Sequence, residues 1–419
     1  MIHTESLASG ADLLLEPVDR TDTLCIGFWF LHGSRDEAPE EKGFCHFLEH
    51  MLFKGTARRT SLQIAQEIDR VGGIVNAFTE KEATCLYLIL PKEHVRLAFD
   101  VLADMSTSSE LADKEIEKEK AVVVTEIRSV DDSPEERGHE QYIRKMWGAH
   151  PLSRKITGEL TDIERISPEG LRRFYRARFL SSSLVIAVAG NFSVAEVREL
   201  AEKAFPPGRT GPSRPPREMP SWTRDLSVVP DRFNQVQIYA GTCYGLDHDI
   251  DHYYTSLVFS TAFGESMSSR LFQKLREELA LCYTVYCFRS FFSDTGLWTV
   301  YANATPQLAL RLLAALDEEL ALLHRQPLSP KEIDDAKSHL IGSMILSRED
   351  METRMKRLVR QFTMIGRVLE FDESVAVLRR MSQQSVAAFV RDYIRRDAFN
   401  MLAFGSRGLG GLRRFEFSF

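Results

Sequence analysis

Apolar residues fall along this chain in two spacings that change places repeatedly. "TLCIGFWFLHG" (Thr23–Gly33) and "NQVQIYAGTCYG" (Asn234–Gly245) read as strands. "TCLYLILPKEHVRLAFDVLADM" (Thr84–Met105) opens as a strand, turns, and becomes an amphipathic helix with Leu and Ala at helical spacing. "TGLWTVYANATPQLALRLLAAL" (Thr295–Leu316) does the same 211 residues later. "SLVIAVAGNF" (Ser183–Phe192) adds a further strand.

That echo is not isolated. "LADKEIEKEKAVVVTEI" (Leu111–Ile127) and "LSPKEIDDAKSHLIGSM" (Leu328–Met344) both open on Leu, pass a turn-like pair, and enter a helix through Lys-Glu-Ile, at an offset of 217. Two similar offsets predict a duplicated unit of about 200 residues. Phe205–Pro220 holds six prolines and reads as an extended linker between the copies. The predicted organisation is an N-terminal domain over 1–208, a linker over 209–222 and a C-terminal domain over 223–419. Each domain is predicted as α+β, a mostly antiparallel sheet with helices packed on one face.

Composition narrows the function. The chain has 419 residues, 44% apolar and 27% charged, as a soluble protein of two cores would. A net charge of −7 argues against a nucleic-acid partner. The longest apolar runs fall short of a membrane span. Met1–Val18 lacks the basic and apolar regions of a leader, so a cytoplasmic protein is expected. Six cysteines form no CxxC pair and are expected as buried thiols.

One apolar stretch carries chemistry. "GFCHFLEHMLFKGT" (Gly43–Thr56) sets His46, Glu49 and His50 among Phe and Leu. Histidines four apart on a helix lie one turn above each other, so both rings can reach one cation. Zn²⁺ takes His nitrogen and carboxylate oxygen, and Glu49 is close enough to accept a proton from a water beside it. Cys45 points about 100° away from its neighbour and is not counted as a ligand. A third ligand is expected from "EIEKEKAVVVTEI", where Glu119 and Glu126 lie two turns apart on one helix face. Glu126 sits among Val and Ile, where an unpaired carboxylate is costly. A half-exposed helix with ordinary polar residues is the competing account. The second copy has Ala336 and Ser343 at the repeat positions of the two acids and no HxxEH, so this chemistry belongs to the first half alone.

HxxEH followed by Glu126 resembles the pitrilysin-type (M16) zinc peptidases, particularly the short bacterial relatives of the mitochondrial processing peptidase β subunit. "GGIVNAFTEKEATCLY" (Gly72–Tyr87), "GAHPLSRKITGE" (Gly148–Glu159) and "SSRLFQKLREELALCYTV" (Ser268–Val285) extend the resemblance over nearly the whole chain. The resemblance implies one zinc per chain on His46, His50 and Glu126, with Glu49 as general base and Glu119 orienting a ligand. It implies substrate contacts by Arg276 and Tyr283, which one continuous helix would align. It also implies that Asn76, Ala77 and Phe78 form an edge strand for an extended peptide, with Phe78 flooring a pocket. The expected activity is zinc-dependent endopeptidase action on peptides or unfolded segments within a homodimer chamber. The alternative is a non-proteolytic structural or partner subunit. "ALCYTV" departs from the family's Gly-Leu-Ala-Tyr, and no glycine-rich substrate loop of the mitochondrial α-subunit kind is present, so import presequences are not implied.

Overall fold

The computed structural model describes residues 1–207, 217–246, 248–407 and 409–419. Residues 209–216 of the expected linker lie outside that description. The first sheet comprises β1 (His3–Ser6), β2 (Asp12–Pro17), β3 (Thr23–Phe30), β4 (Ile74–Thr79), β5 (Thr84–Pro91) and β6 (Leu184–Gly190). Their order is β1-β2-β6-β3-β5-β4, which leaves β4 at an edge. The second sheet comprises β7 (Leu226–Pro230), β8 (Val236–Gly245), β9 (Val285–Phe291), β10 (Thr295–Ala304) and β11 (Asn400–Gly405), in the order β7-β11-β8-β10-β9. Among the described residues only β2/β6 and β7/β11 pair in parallel; the other pairs are antiparallel, as expected.

The sequence of β3 explains its place. A strand with one wet face alternates apolar and polar, but "TLCIGFWF" is apolar at nearly every position. Leu24, Ile26, Phe28 and Phe30 enter one core; Cys25 and Trp29 enter another on the opposite face. The first core is closed by helices of the N-terminal half: α1 (Phe44–Met51), α2 (Ser61–Asp69), α3 (Val95–Thr107) and α4 (Asp113–Asp132), with further apolar side chains from Leu171, Phe174 and Val197.

The second core is closed from elsewhere in the chain. Met351, Met355, Leu358 and Val359, all on the helix Met351–Ile365, cover Cys25, Trp29, Cys85 and Val185. Gly27 makes the approach possible: a Cβ there would lie 2.8 Å from the Met355 sulfur. Polar anchors flank the apolar seam. Arg354 and Arg357 both pair with Glu16, the latter at 2.9 Å, and the Tyr87 hydroxyl donates to Glu352 at 2.8 Å.

The loan is returned. Helix α5 (Pro134–Trp147) leaves the N-terminal half and packs Tyr142, Ile143, Met146 and Trp147 against Tyr239, Leu297, Tyr301 and Leu402 of the second sheet. Its first residue precedes Met351 by 217 positions, the offset of the internal repeat. The two copies have therefore exchanged equivalent helices. Helices on one face, as expected, is what each half supplies to its own sheet; the other face is covered by the other half.

The compact units are accordingly interleaved. One holds Met1–Ser129, Arg154–Pro216 and Ser347–Glu370; the other holds Val130–Ser153, Arg217–Leu346 and Phe371–Phe419. Contiguous blocks such as 1–208 and 223–419 describe the two halves of the chain. Hydrophobic periodicity marks a helix as amphipathic without saying which sheet it will cover.

Met355 tests the exchange. Met355→Ala should cost about 2–5 kcal/mol, the usual range for emptying a buried methionine site. Amide hydrogen exchange should show the lost protection in β3 and β6, more than 150 residues away in sequence. Protection lost only around residue 355 would contradict the account.

Candidate metal centre

Helix α1 places the chemistry by burying everything around it. Phe44, Cys45, Phe47, Leu48 and Met51 enter the first core. His46 is 7% exposed, while Glu49 and His50 sit at the boundary of core and solvent. Apolar neighbours thus fix the helix's rotation, and the three polar groups share its remaining stripe.

Helix α4 meets that stripe. Ile116, Val123 and Ile127 seat it in the same core, with Glu119 buried and Glu126 partly open to solvent. The Glu126 carboxylate faces both rings: Oε1 is 3.3 Å from His46 Nε2, and Oε2 is 3.4 Å from His50 Nε2. All three ligand atoms lie within 4.8 Å of one another. Two tetrahedral zinc ligands at ordinary bond lengths stand about 3.3 Å apart. The donor set therefore fits a small divalent cation, and the chain places 46, 50 and 126 together as the sequence predicts.

Behind the rings the two histidines differ. His50 Nδ1 is 2.9 Å from Glu119 Oε1, and Lys54 Nζ is 2.5 Å from the other oxygen of that carboxylate. A histidine that binds metal through one nitrogen is oriented by what its other nitrogen bonds. His46 Nδ1 is buried and has no hydrogen-bond partner among the described residues. Lys54 lies three residues beyond the end of α1, so helical spacing does not place it, and only the fold shows its contact with Glu119.

Without a cation, the carboxylates perturb His50. Burial works against a charged His50, but hydrogen bonds to Glu126 and Glu119 outweigh it and raise its pKa. Hydrogen bonds from His46 and His50 hold Glu126 well below the usual carboxylate range.

The edge strand reaches the site through one hydroxyl. Thr79 Oγ1 donates to Glu49 Oε2 at 2.6 Å. Val75 and Ala77 share the Thr79 side of β4 and pack on the first core. Phe78 points the other way. Its ring packs near Trp29 and Tyr87, with Lys356 Nζ 4.9 Å from its centroid. A pocket floor beside Glu49 is therefore not where this side chain lies; strand alternation sends it to the opposite face. Asn76 also belongs to that face, and its side-chain oxygen accepts the Ala77 amide at 2.8 Å.

Arg276 and Tyr283 lie in the second unit and meet each other. No single helix aligns them. A helical segment ends at Glu278, and Ala280 turns the chain with φ 48°. The turn lays the Arg276 guanidinium 4.8 Å from the Tyr283 ring centroid and 4.8 Å from that of Phe272. Tyr283 remains 77% exposed.

Comparison with known proteins supplies the family. Residues 14–159 match the model for insulinase (peptidase family M16), and residues 165–340 match that for the peptidase M16 inactive domain. The chain is 33% identical to the uncharacterized zinc protease YmxG of Bacillus subtilis, over 95% of this chain and 97% of that one. This chain belongs to peptidase family M16. Another M16 relative, the uncharacterized zinc protease SCO5738 of Streptomyces coelicolor, is 32% identical over 94% of this chain and 88% of its own. The M16 fold recurs in the crystal structure of a peptidase M16 inactive domain from Pseudomonas fluorescens, with TM-score 0.88 at 18% identity over 97% of this chain and 98% of that one. A protease from Helicobacter pylori superposes with TM-score 0.86 at 18% identity, over 97% and 99%. These two likenesses concern the fold alone.

The raised pKa of His50 has a measurable sign. In metal-free protein, the stabilisation from charged His50 is complete below pH 6.5, its ordinary value, and is lost as pH rises through the higher folded value. NMR titration of the ring should give a midpoint above 6.5, and Glu126→Gln should lower it. A wild-type midpoint at or below 6.5 would contradict the geometry.

Proposed function

We propose that this chain is a zinc-dependent endopeptidase acting on peptides or unfolded segments. One observation carries the reading: a single carboxylate, Glu126, faces both imidazole Nε2 atoms, and the helix that bears the rings also bears Glu49, tethered to an edge strand. His46, His50 and Glu126 would hold one zinc per chain, and the zinc-protease names of the M16 relatives support that choice of ion. Bound there, zinc supplies Lewis acidity toward a peptide carbonyl and toward water.

The chain's own groups do the rest. Glu49 takes the proton of the attacking water and passes it to the leaving amine. Thr79 engages Oε2 and leaves Oε1 for that proton. Glu119, backed by Lys54, holds the His50 ring with its Nε2 toward Glu126. A peptide adding to β4 along Asn76, Ala77 and Phe78 pairs through its main chain, so selectivity for side chains is loose. The resemblance assigns Arg276 and Tyr283 to substrate contact.

Both sets of residues occur in one chain, which supports a homodimer with two sites enclosing a chamber. The proposed setting is the cytoplasm; among the described residues no helix is long and apolar enough to cross a membrane. The second half matches a model named for an inactive domain, in keeping with its Ala336 and Ser343 at the repeat positions of the acids. A non-proteolytic partner subunit remains the rival.

Metal analysis and a quenched-peptide assay decide between them. Purified protein should carry one zinc per chain, Glu126→Ala should carry little, and a chelator should stop cleavage. Glu49→Gln should keep the zinc and lose turnover by about a hundredfold or more, the usual weight of a general base. Zinc-loaded wild type that cleaves no peptide would favour the rival; full turnover by Glu49→Gln would remove Glu49 as the base.

A further inference from the structure

Helix α1 begins without an ordinary cap. Its N-cap residue is Gly43, which has no side chain to receive the first amide groups. The acceptor comes from outside the helix. Glu37 accepts the Gly43 amide on Oε2 at 2.9 Å and the Cys45 amide on Oε1 at 2.8 Å. Glu37 is 4% exposed, and no step of the proposed reaction uses it. Burial pushes the Glu37 carboxyl up to about 8, although its two amide partners pull the other way.

Glu37 is itself held. Its main-chain carbonyl accepts the Arg154 guanidinium at 2.6 Å. The neighbouring backbone leaves no slack: Gly43 has φ 81°, and a Cβ there would lie 2.8 Å from the Thr157 carbonyl oxygen. The start of α1 is thus fixed against 154–158 on one side and by two hydrogen bonds to one carboxylate on the other.

His46 follows Cys45 directly. It is also the histidine whose Nδ1 finds no hydrogen bond among the described residues, whereas Glu119 orients His50 through the ring. With no polar partner behind its ring, His46 depends on its backbone for position. We propose that Glu37 is a positioning residue of the metal centre. It does for His46, through the first turn of α1, what Glu119 does for His50 through the imidazole. The proposal rests on the zinc reading above.

The test needs no substrate. Apoprotein of wild type, Glu37→Gln, Glu37→Leu and, for comparison, Glu119→Gln is titrated with zinc against a chromophoric chelator, and with Co²⁺ while its visible ligand-field bands are recorded. Apoprotein melting is measured in parallel. Losing a partner that orients a ligand weakens metal binding by about 10–100-fold. Glu37→Leu, which removes both acceptors, should fall in that range with altered cobalt bands. Glu37→Gln keeps one acceptor and should lose less.

Folded Glu37 variants that bind zinc within twofold of wild type, with unchanged cobalt bands, overturn the proposal. If Glu37→Leu does not fold, Glu37→Gln decides by the same criterion. Weaker binding that merely tracks a lower apoprotein melting temperature, with wild-type cobalt bands, assigns Glu37 to folding alone and also overturns it. Wild type that takes up no zinc overturns the zinc reading itself, and this proposal with it.

Discussion

The site depends on one meeting: a carboxylate on α4 set between two imidazoles on α1. Neither helix can make it alone. On α1, the histidines are carried at the margin of a run that would otherwise be all core. On α4, Glu126 extends from a helix whose seat is decided by Ile116, Val123 and Ile127. Hydrophobic packing sets the two helices to within the tolerance that three converging ligands require, and the polar groups around them then settle the ring orientations. The core here is an alignment device before it is a source of stability.

That division of labour explains the arrangement of charge. Buried acids are rare unless something compensates them. Glu119 is answered by Lys54 and His50, and Glu37 by two amides at a helix start. Each stands next to α1 and reaches it from a different segment. Their energetic burden is understandable only if the position of α1 matters more than the stability an apolar side chain would add.

Much of this was legible in the sequence, and the gaps have physical causes. His46, His50, Glu49 and Glu126 could be read from helical spacing, the resemblance and the cost of an acid among valines. The strand β3 could be read from its nearly unbroken apolar run, β8 from its apolar and β-branched residues, and the duplication from its offset. Glu37 could not, because its partners are main-chain amides that have no letter in the sequence. Nor could the union of Arg276 with Tyr283, which relies on a left-handed Ala280 where a continuous helix was expected. Phe78 is a different lesson. Period-two alternation puts it opposite Thr79, so its facing was readable once Thr79 was known to touch Glu49.

The reciprocal loan of α5 and the helix Met351–Ile365 has a consequence for how such a protein can be altered. Two like units that trade one equivalent helix each are, physically, a domain-swapped dimer whose two polypeptides have been joined end to end. Cut at the proline-rich junction, each piece would keep a bare apolar sheet face that only the other piece can clothe. The copy without the two histidines therefore cannot be shed, whatever else becomes of it: it is the scaffold in which the copy carrying His46, His50 and Glu126 completes its own fold.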